Sequence, residues 1–111
     1  MKLVYVSGPY SPRAFQTIDD NIEIARRIAI QLWEAGHAVI CPHLNTAHME
    51  IDCSCTWEDY IKGDRLMIER CDAVVMVPGW EQSKGSVIEK VHAEAYNIPV
   101  YIYPALPEAE P

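Results

Sequence analysis

The sequence predicts a three-layer α/β fold built around a parallel sheet of four or five strands. Three observations carry this reading. Short apolar runs at 2–7 (KLVYVS), 37–41 (HAVIC), 72–77 (DAVVMV) and 99–103 (PVYIY) have the length and composition of buried strands. Stretches with helical apolar spacing lie between them. Gly or Pro closes the first three runs, at Gly8-Pro9, Pro42 and Pro78-Gly79. Apolar strands that alternate with helices require helical cover on both faces of the sheet.

Taken in order, the first strand runs into the Gly8-Pro9 loop. Thr17 followed by Asp20 fits a capping box. Behind it Ile18, Ile22, Ala25, Ile28, Ala29 and Leu32 recur at helical spacing, and Gly36 stands where a C-terminal cap belongs. The first helix is therefore expected over 18–35. After the second strand, residues 42–55 are polar and without period, and are expected to form a long loop. Thr56 and Asp59 repeat the capping pattern and open a helix to about Arg70, with Tyr60, Ile61, Met67 and Ile68 inward. A further helix is expected from Ser83 or Gly85 to Ala95. Residues 1–104 form one domain in this reading, and 105–111 a frayed Pro/Glu tail. The order β-α-β-loop-α-β-α-β, with right-handed crossovers, is that of a Rossmann-like or flavodoxin-like sheet. Ligands of such sheets bind outside the carboxyl ends of the strands, here Ser7–Tyr10, Cys41–Asn45 and Pro78–Gly85.

Composition narrows the partner. The 111 residues carry 9 Lys+Arg against 16 Asp+Glu, a formal charge of −7. That balance argues against a nucleic-acid polymer and against anionic membrane surfaces. A small anionic ligand remains compatible, because a pocket's local field need not follow net charge. No run approaches the roughly 18 apolar residues of a membrane span. No signal-like segment precedes Val4, so Cys41, Cys53, Cys55 and Cys71 are expected to be reduced thiols of a cytoplasmic protein.

Three clusters at or near the strand ends carry the candidate chemistry. Tyr5-Val6-Ser7-Gly8-Pro9-Tyr10 offers backbone amides and a hydroxyl at a pocket edge, with Gly8 permitting close approach; it also fits an ordinary strand-ending turn. Ser83-Lys84-Gly85-Ser86-Val87-Ile88-Glu89 opens a helix whose free amides favour an anion. Glu89 lies one turn after Gly85 and, near that positive end, is expected to stay ionised; a solvated surface Glu is the alternative. Asp64 follows Tyr60 by four residues and faces either the strand ends or solvent, while Gly63 within the helix hints at close packing or a ligand. Two carboxylates and a tyrosine beside an anion-binding helix end suit displacement at a sugar's anomeric carbon. That reaction needs one group to trap the oxocarbenium-like centre and another to assist the leaving base.

On these residues the chain resembles the nucleoside 2-deoxyribosyltransferase superfamily, which includes the 2′-deoxynucleoside 5′-phosphate N-hydrolases. It is most similar to a small uncharacterised branch. The resemblance runs from VYVSGPY, through the Asp64–Asp72 segment, to SKGSVIEKVHA. It implies that Glu89, in the pattern Ser83-x-Gly85-x-x-x-Glu89, is the nucleophile. Asp64, eight residues before Asp72, would handle the sugar hydroxyl or the base, and Tyr5 would contact the nucleophile. Ser83 is implied to mark the phosphate-accepting branch, with Ser83, Gly85 and the loop of Ser7, Gly8, Pro9 and Tyr10 holding the 5′ end, Ser86 as a further substrate contact, and Arg13 either the phosphate cation or a water-exposed loop arginine. The activity implied is cleavage or transfer of the N-glycosidic bond of a (deoxy)nucleoside or its 5′-monophosphate, through a glycosyl-Glu89 intermediate. The alternative is a non-catalytic nucleotide-binding module with the same pocket. A homodimer or larger homo-oligomer is expected, and no cofactor.

Cys41, His43, Asn45, His48, Cys53 and Cys55 crowd one segment. Zinc uses such ligands, but the spacing departs from the usual C-x₂₋₄-C pairs, so no metal is expected. His43 and Asn45, just after the second strand, are read instead as base or sugar contacts. His92, three residues past Glu89, is placed either against that carboxylate or on the helix surface. Trp57 and Trp80 suit either a base or a subunit interface.

Overall fold

β1 (Leu3–Ser7) is the strand whose side chains need cover on both faces, and it lies between two parallel neighbours. In a computed structural model of residues 1–111 it is followed by α1 (Ile18–Glu34), β2 (Ala38–Ile40), α2 (Pro42–Asn45), α3 (Trp57–Glu69), β3 (Ala73–Met76), α4 (Lys84–Ala95) and β4 (Val100–Ile102). The sheet has four strands, all parallel, in the order β2-β1-β3-β4. The expected range of four or five strands thus resolves to four. No helix is long and apolar enough to cross a membrane.

The two-residue period of β1 divides the interior. Val4 and Val6 join Ala25, Ile28, Ala29 and Leu32 of α1, with Ala73, Val75 and Val77, on one side. Tyr5 joins Ile68, Cys71, Val74, Met76 and Ala93 on the other. The connection from β1 to β2 crosses the sheet in one direction, and those from β2 to β3 and β3 to β4 cross in the other. Right-handed crossovers therefore place α1 opposite α3 and α4. Each fully buried aliphatic side chain, such as Leu32 or Ile68, contributes about 1.5–3 kcal/mol.

Both expected capping boxes form. Thr17 accepts from the Asp20 amide at 3.1 Å while Asp20 accepts from the Thr17 amide at 2.9 Å. Thr56 and Asp59 repeat the exchange at 3.2 and 2.8 Å. Caps of this kind are worth about 1 kcal/mol each. Gly36, at φ +92°, takes the left-handed conformation expected just past α1.

Three expectations need correction. The segment 42–55 is not one irregular loop, because Pro42 starts the short helix α2 and a 3₁₀ turn follows at Met49–Ile51. Gly63 is not needed for close packing, since a Cβ added there would meet nothing within 4 Å. The tail is docked rather than frayed. Leu106 packs against the α1-side core and Pro107 is buried. The buried His37 ring donates from Nε2 to the Glu108 carbonyl at 2.8 Å, and the Glu110 amide donates to the Ala35 carbonyl at 2.8 Å. The proline-rich tail lacks secondary structure, but its apolar side chains and two backbone groups find partners on α1 and at the start of β2.

Candidate active site

The period of two that buries Val4 and Val6 beneath α1 turns Tyr5 and Ser7 toward α3 and α4. From α4, Ser86, Glu89 and Ala93 form the buried stripe, at i, i+3 and i+7. The helix is inverted relative to an ordinary amphipathic one. It buries Ser86 and Glu89 and leaves Val87 and Val91 at 37% and 59% exposure. From α3, Asp64 lies on the stripe of the buried Ile61 and Ile68. Tyr5, Ser7, Asp64, Ser86 and Glu89 all line one cavity of about 600 Å³ at the carboxyl ends of the strands. That is an ordinary size for a small-molecule site.

The Ser7 hydroxyl donates to Glu89 Oε1 at 2.8 Å, a buried bond between β1 and α4. Burial pushes the Glu89 carboxyl well above the ordinary carboxylate range, and the neighbouring Asp64 charge adds to this; the Ser7 and Tyr5 hydroxyls oppose it. Burial also raises Asp64, while the Glu89 and Tyr5 side chains near it pull the other way. The Tyr5 phenol, fully buried, is raised by burial and then by the Glu89 and Asp64 charges. The expectation that the helix end keeps Glu89 ionised left out this burial, which pulls the carboxyl toward its protonated form. Desolvation outweighs the favourable helix end and raises both carboxyls, Glu89 more strongly than Asp64.

The other expected residues mostly converge. Ser83 caps α4, its hydroxyl accepting from the Ser86 amide at 3.2 Å. Gly85 lets α3 approach, because a Cβ there would stand 3.1 Å from Ile61 Cδ1. Gly8 allows the β1 loop to cross the end of β3, where a Cβ would fall 2.5 Å from that of Val77. The Arg13 guanidinium reaches across the cavity rim to Gln82 Oε1 at 2.9 Å and is also held by Gln16 and the Gly79 carbonyl. His43 donates from Nε2 to the Pro9 carbonyl at 2.8 Å. That bond leaves Nδ1 as a buried acceptor, and burial lowers the ring's pKa below 6.5. The Tyr10 hydroxyl bridges the Glu50 carboxylate, at 2.8 and 3.0 Å, and the His48 amide, at 2.7 Å.

Asn45 is not among them. It lies at the end of α2 against a shallow depression with Trp33, Leu44 and Met67, on another part of the surface. His92 does not touch Glu89; it bonds Glu69 at 2.8 Å. Trp57 lines the cavity, whereas Trp80 packs on the α3/α4-side core. Tyr60, Glu50, Gln82 and Cys55 line the cavity without having been singled out as site residues. For Tyr60 the signal was present, since it precedes Asp64 by one helical turn.

Five buried side-chain polar atoms lack a hydrogen-bond partner: Tyr5 Oη, Arg13 Nε, His43 Nδ1, Tyr60 Oη and Ser86 Oγ. All five residues line this cavity. Buried polar groups without partners are costly and rare in a folded protein. Their concentration around one cavity marks a surface built to meet a polar molecule. The donor sets do not suggest a metal, because no three His, Cys, Asp or Glu side chains are grouped to hold one.

This architecture is similar to that of two solved 2-deoxyribosyltransferases. A 2-deoxyribosyltransferase from Leishmania mexicana superposes with a TM-score of 0.65 at 16% identity, over 93% of this chain and 64% of that one. A 2-deoxyribosyltransferase from Bacillus psychrosaccharolyticus gives 0.67 at 17% identity, over 90% and 70%. This chain thus spans less than two-thirds of the length of the Leishmania protein, and at such identities the likeness is one of fold. In sequence, residues 2–102 match the family described as Domain of unknown function (DUF4406), and the chain belongs to that family. None of the curated proteins matches it. The three-layer α/β fold expected from the residues is borne out.

Proposed function

We propose that this protein cleaves or transfers the N-glycosidic bond of a (deoxy)nucleoside or its 5′-monophosphate. The observation that carries the reading is the buried Glu89 and the partly buried Asp64, which line one cavity with Tyr5, Ser7 and the first turn of α4. The solved neighbours named as deoxyribosyltransferases support it.

Glu89 acts as nucleophile in its ionised form, and Asp64 as acid in its protonated form, in the reacting complex. Glu89 forms a bond to C1′ as the bond from C1′ to the base nitrogen breaks. The departing base takes the proton from Asp64. Ser7 and Tyr5 stabilise the Glu89 carboxylate against its desolvation. Water then attacks C1′, gives its proton to Asp64, and releases Glu89; a second base in place of water gives transfer. The α4 amides after Ser83, the Ser86 hydroxyl and Arg13 hold the 5′ end, and the Nδ1 of His43 accepts a hydrogen bond from a hydroxyl or amine of the substrate. The same reading includes a homodimer or larger assembly, which sedimentation equilibrium reads directly.

The test is incubation with the deoxy- and ribonucleosides and their 5′-monophosphates, with free base followed by chromatography. Base release that disappears in Glu89→Ala supports the reading. Ligand binding without release from any substrate, at ample enzyme, would replace it with a nucleotide-binding module. Addition of a second base separates transfer from hydrolysis.

A further inference from the structure

Two of the four cysteines are used neither by the core nor by the proposed chemistry. Cys41 and Cys71 are buried, and burial pushes both thiols up to about 11, which makes them inert packing groups. Cys53 is half-buried and Cys55 exposed. Only Ser54 separates them, and residues 53–55 belong to no helix or strand, so no ladder of backbone hydrogen bonds restrains them. The Cys55 amide donates to Cys53 Sγ at 3.2 Å, which curls the chain so that the first sulfur sits against the second residue. Cys55 lines the cavity, and the next residue, Thr56, caps the helix that carries Trp57, Tyr60 and Asp64.

We propose that Cys53 and Cys55 are a site of reversible oxidation, forming an intrachain disulfide at the mouth of the cavity with a peroxide as oxidant. The Cys53 thiolate attacks the peroxide O–O bond, gaining one oxygen as a sulfenic acid, and the other oxygen leaves as water or an alcohol after taking from solvent the proton that Cys53 gave up on ionising. The Cys55 sulfur then attacks the Cys53 sulfur, the S–S bond forms, and the hydroxyl leaves as water with the Cys55 proton. Two thiols lose two electrons in total, and the peroxide gains them. The division of roles follows the local hydrogen bonds. The bond from the Cys55 amide to Cys53 Sγ favours the thiolate of Cys53 and assigns it the first step, with Cys55 as the resolving thiol. Closure takes the Cys55 side chain from the cavity wall and shifts the chain immediately before the α3 cap. The pocket's entrance therefore depends on the state of the pair.

The experiment treats the native full-length protein with hydrogen peroxide, blocks free thiols by alkylation, and maps the digest by mass spectrometry. The expected product is one peptide with Cys53 and Cys55 joined, two hydrogens lighter, unalkylated, and restored by dithiothreitol. Cys41 and Cys71 remain alkylatable after unfolding. Separate over-oxidation of the two sulfurs, a disulfide between two chains, or two intact thiols at a dose that fully oxidises free cysteine would each overturn the proposal. In Cys55→Ser, Cys53 should be trapped by a dimedone probe severalfold more than in the wild type. Equal trapping in the two proteins overturns the resolving role of Cys55. None of these readouts depends on the proposed glycosidic chemistry.

Discussion

The Ser7 hydroxyl donates a 2.8 Å hydrogen bond to the Glu89 carboxylate across 82 positions of sequence, and both groups are buried. The last residue of the central strand thus orients the one acidic side chain that α4 turns inward. The bond favours the ionised carboxylate while burial opposes it more strongly, so the Glu89 carboxyl is raised well above the ordinary range.

Glu89→Gln is expected to abolish base release, with a loss of about 10³-fold or more, and to leave the fold intact. The folded-state pKa of Glu89 lies above its unfolded value, so its contribution to stability is full below the ordinary carboxylate pKa and is lost as pH rises through the raised one. The wild type should lose stability across that interval and the Gln variant should lose less. Thermal melts at a series of pH values check this; parallel curves for the two proteins would contradict it.

Asp64→Asn removes the proposed proton donor and is expected to lower turnover by about 10²–10⁴-fold. The loss should be greatest for substrates whose base leaves poorly and smallest for those with an activated leaving group. Uniform loss across leaving groups would move Asp64 from proton transfer to sugar positioning.

Gly8→Ala puts a methyl group 2.5 Å from the Val77 Cβ, at the crossing of the β1 loop over the end of β3. Overpacking of this kind costs about 1–3 kcal/mol. Because Pro9 and Tyr10 follow directly, ligand affinity should fall along with stability, as urea melts and binding titrations would record. Gly63→Ala, with open space around it, should be neutral or stabilising by up to about 1 kcal/mol.

Leu106→Ala is expected to destabilise the protein by about 1–2 kcal/mol, less than a fully buried leucine because the side chain is only partly covered. A truly frayed tail would show no change in the denaturation midpoint. Amide exchange at Glu110, bonded to the Ala35 carbonyl, gives a second reading of the same docking.

His43 is expected to titrate below its ordinary value, since burial opposes the charged ring. Stability from this group is present above the unfolded pKa and lost as pH falls through the lowered one. Ring chemical shifts should show a neutral Nε2–H tautomer throughout the neutral range. A midpoint above 6.5 would refute the assignment.

Much of this fold is legible in the chain because local signals agree with one another. The capping boxes at Thr17 and Thr56, the apolar runs and the Gly and Pro stops all point to the same order of elements. Glu89 and Asp64 were legible as types at plausible positions, but their protonation was not. Helix-end charge is visible in sequence, whereas desolvation depends on what α3, α4 and β1 bring together. Asn45 was misplaced because Pro42 starts a helix, and that turn rotates position 45 away from the cavity. The docked tail was missed for a related reason. PALPEAEP has no period, and its anchors, Leu106 and two backbone groups, are recognised only once Ala35 and His37 are in place.

In β1, Val4 and Val6 belong to one core and Tyr5 and Ser7 to the cavity, so a single-residue slip against β2 or β3 would exchange them. A slipped sheet would present valines to Glu89 and press a phenol and a hydroxyl into α1. Strand register therefore proofreads the pocket: a chain that has paired its sheet wrongly has no cavity wall with which to act on the wrong molecule.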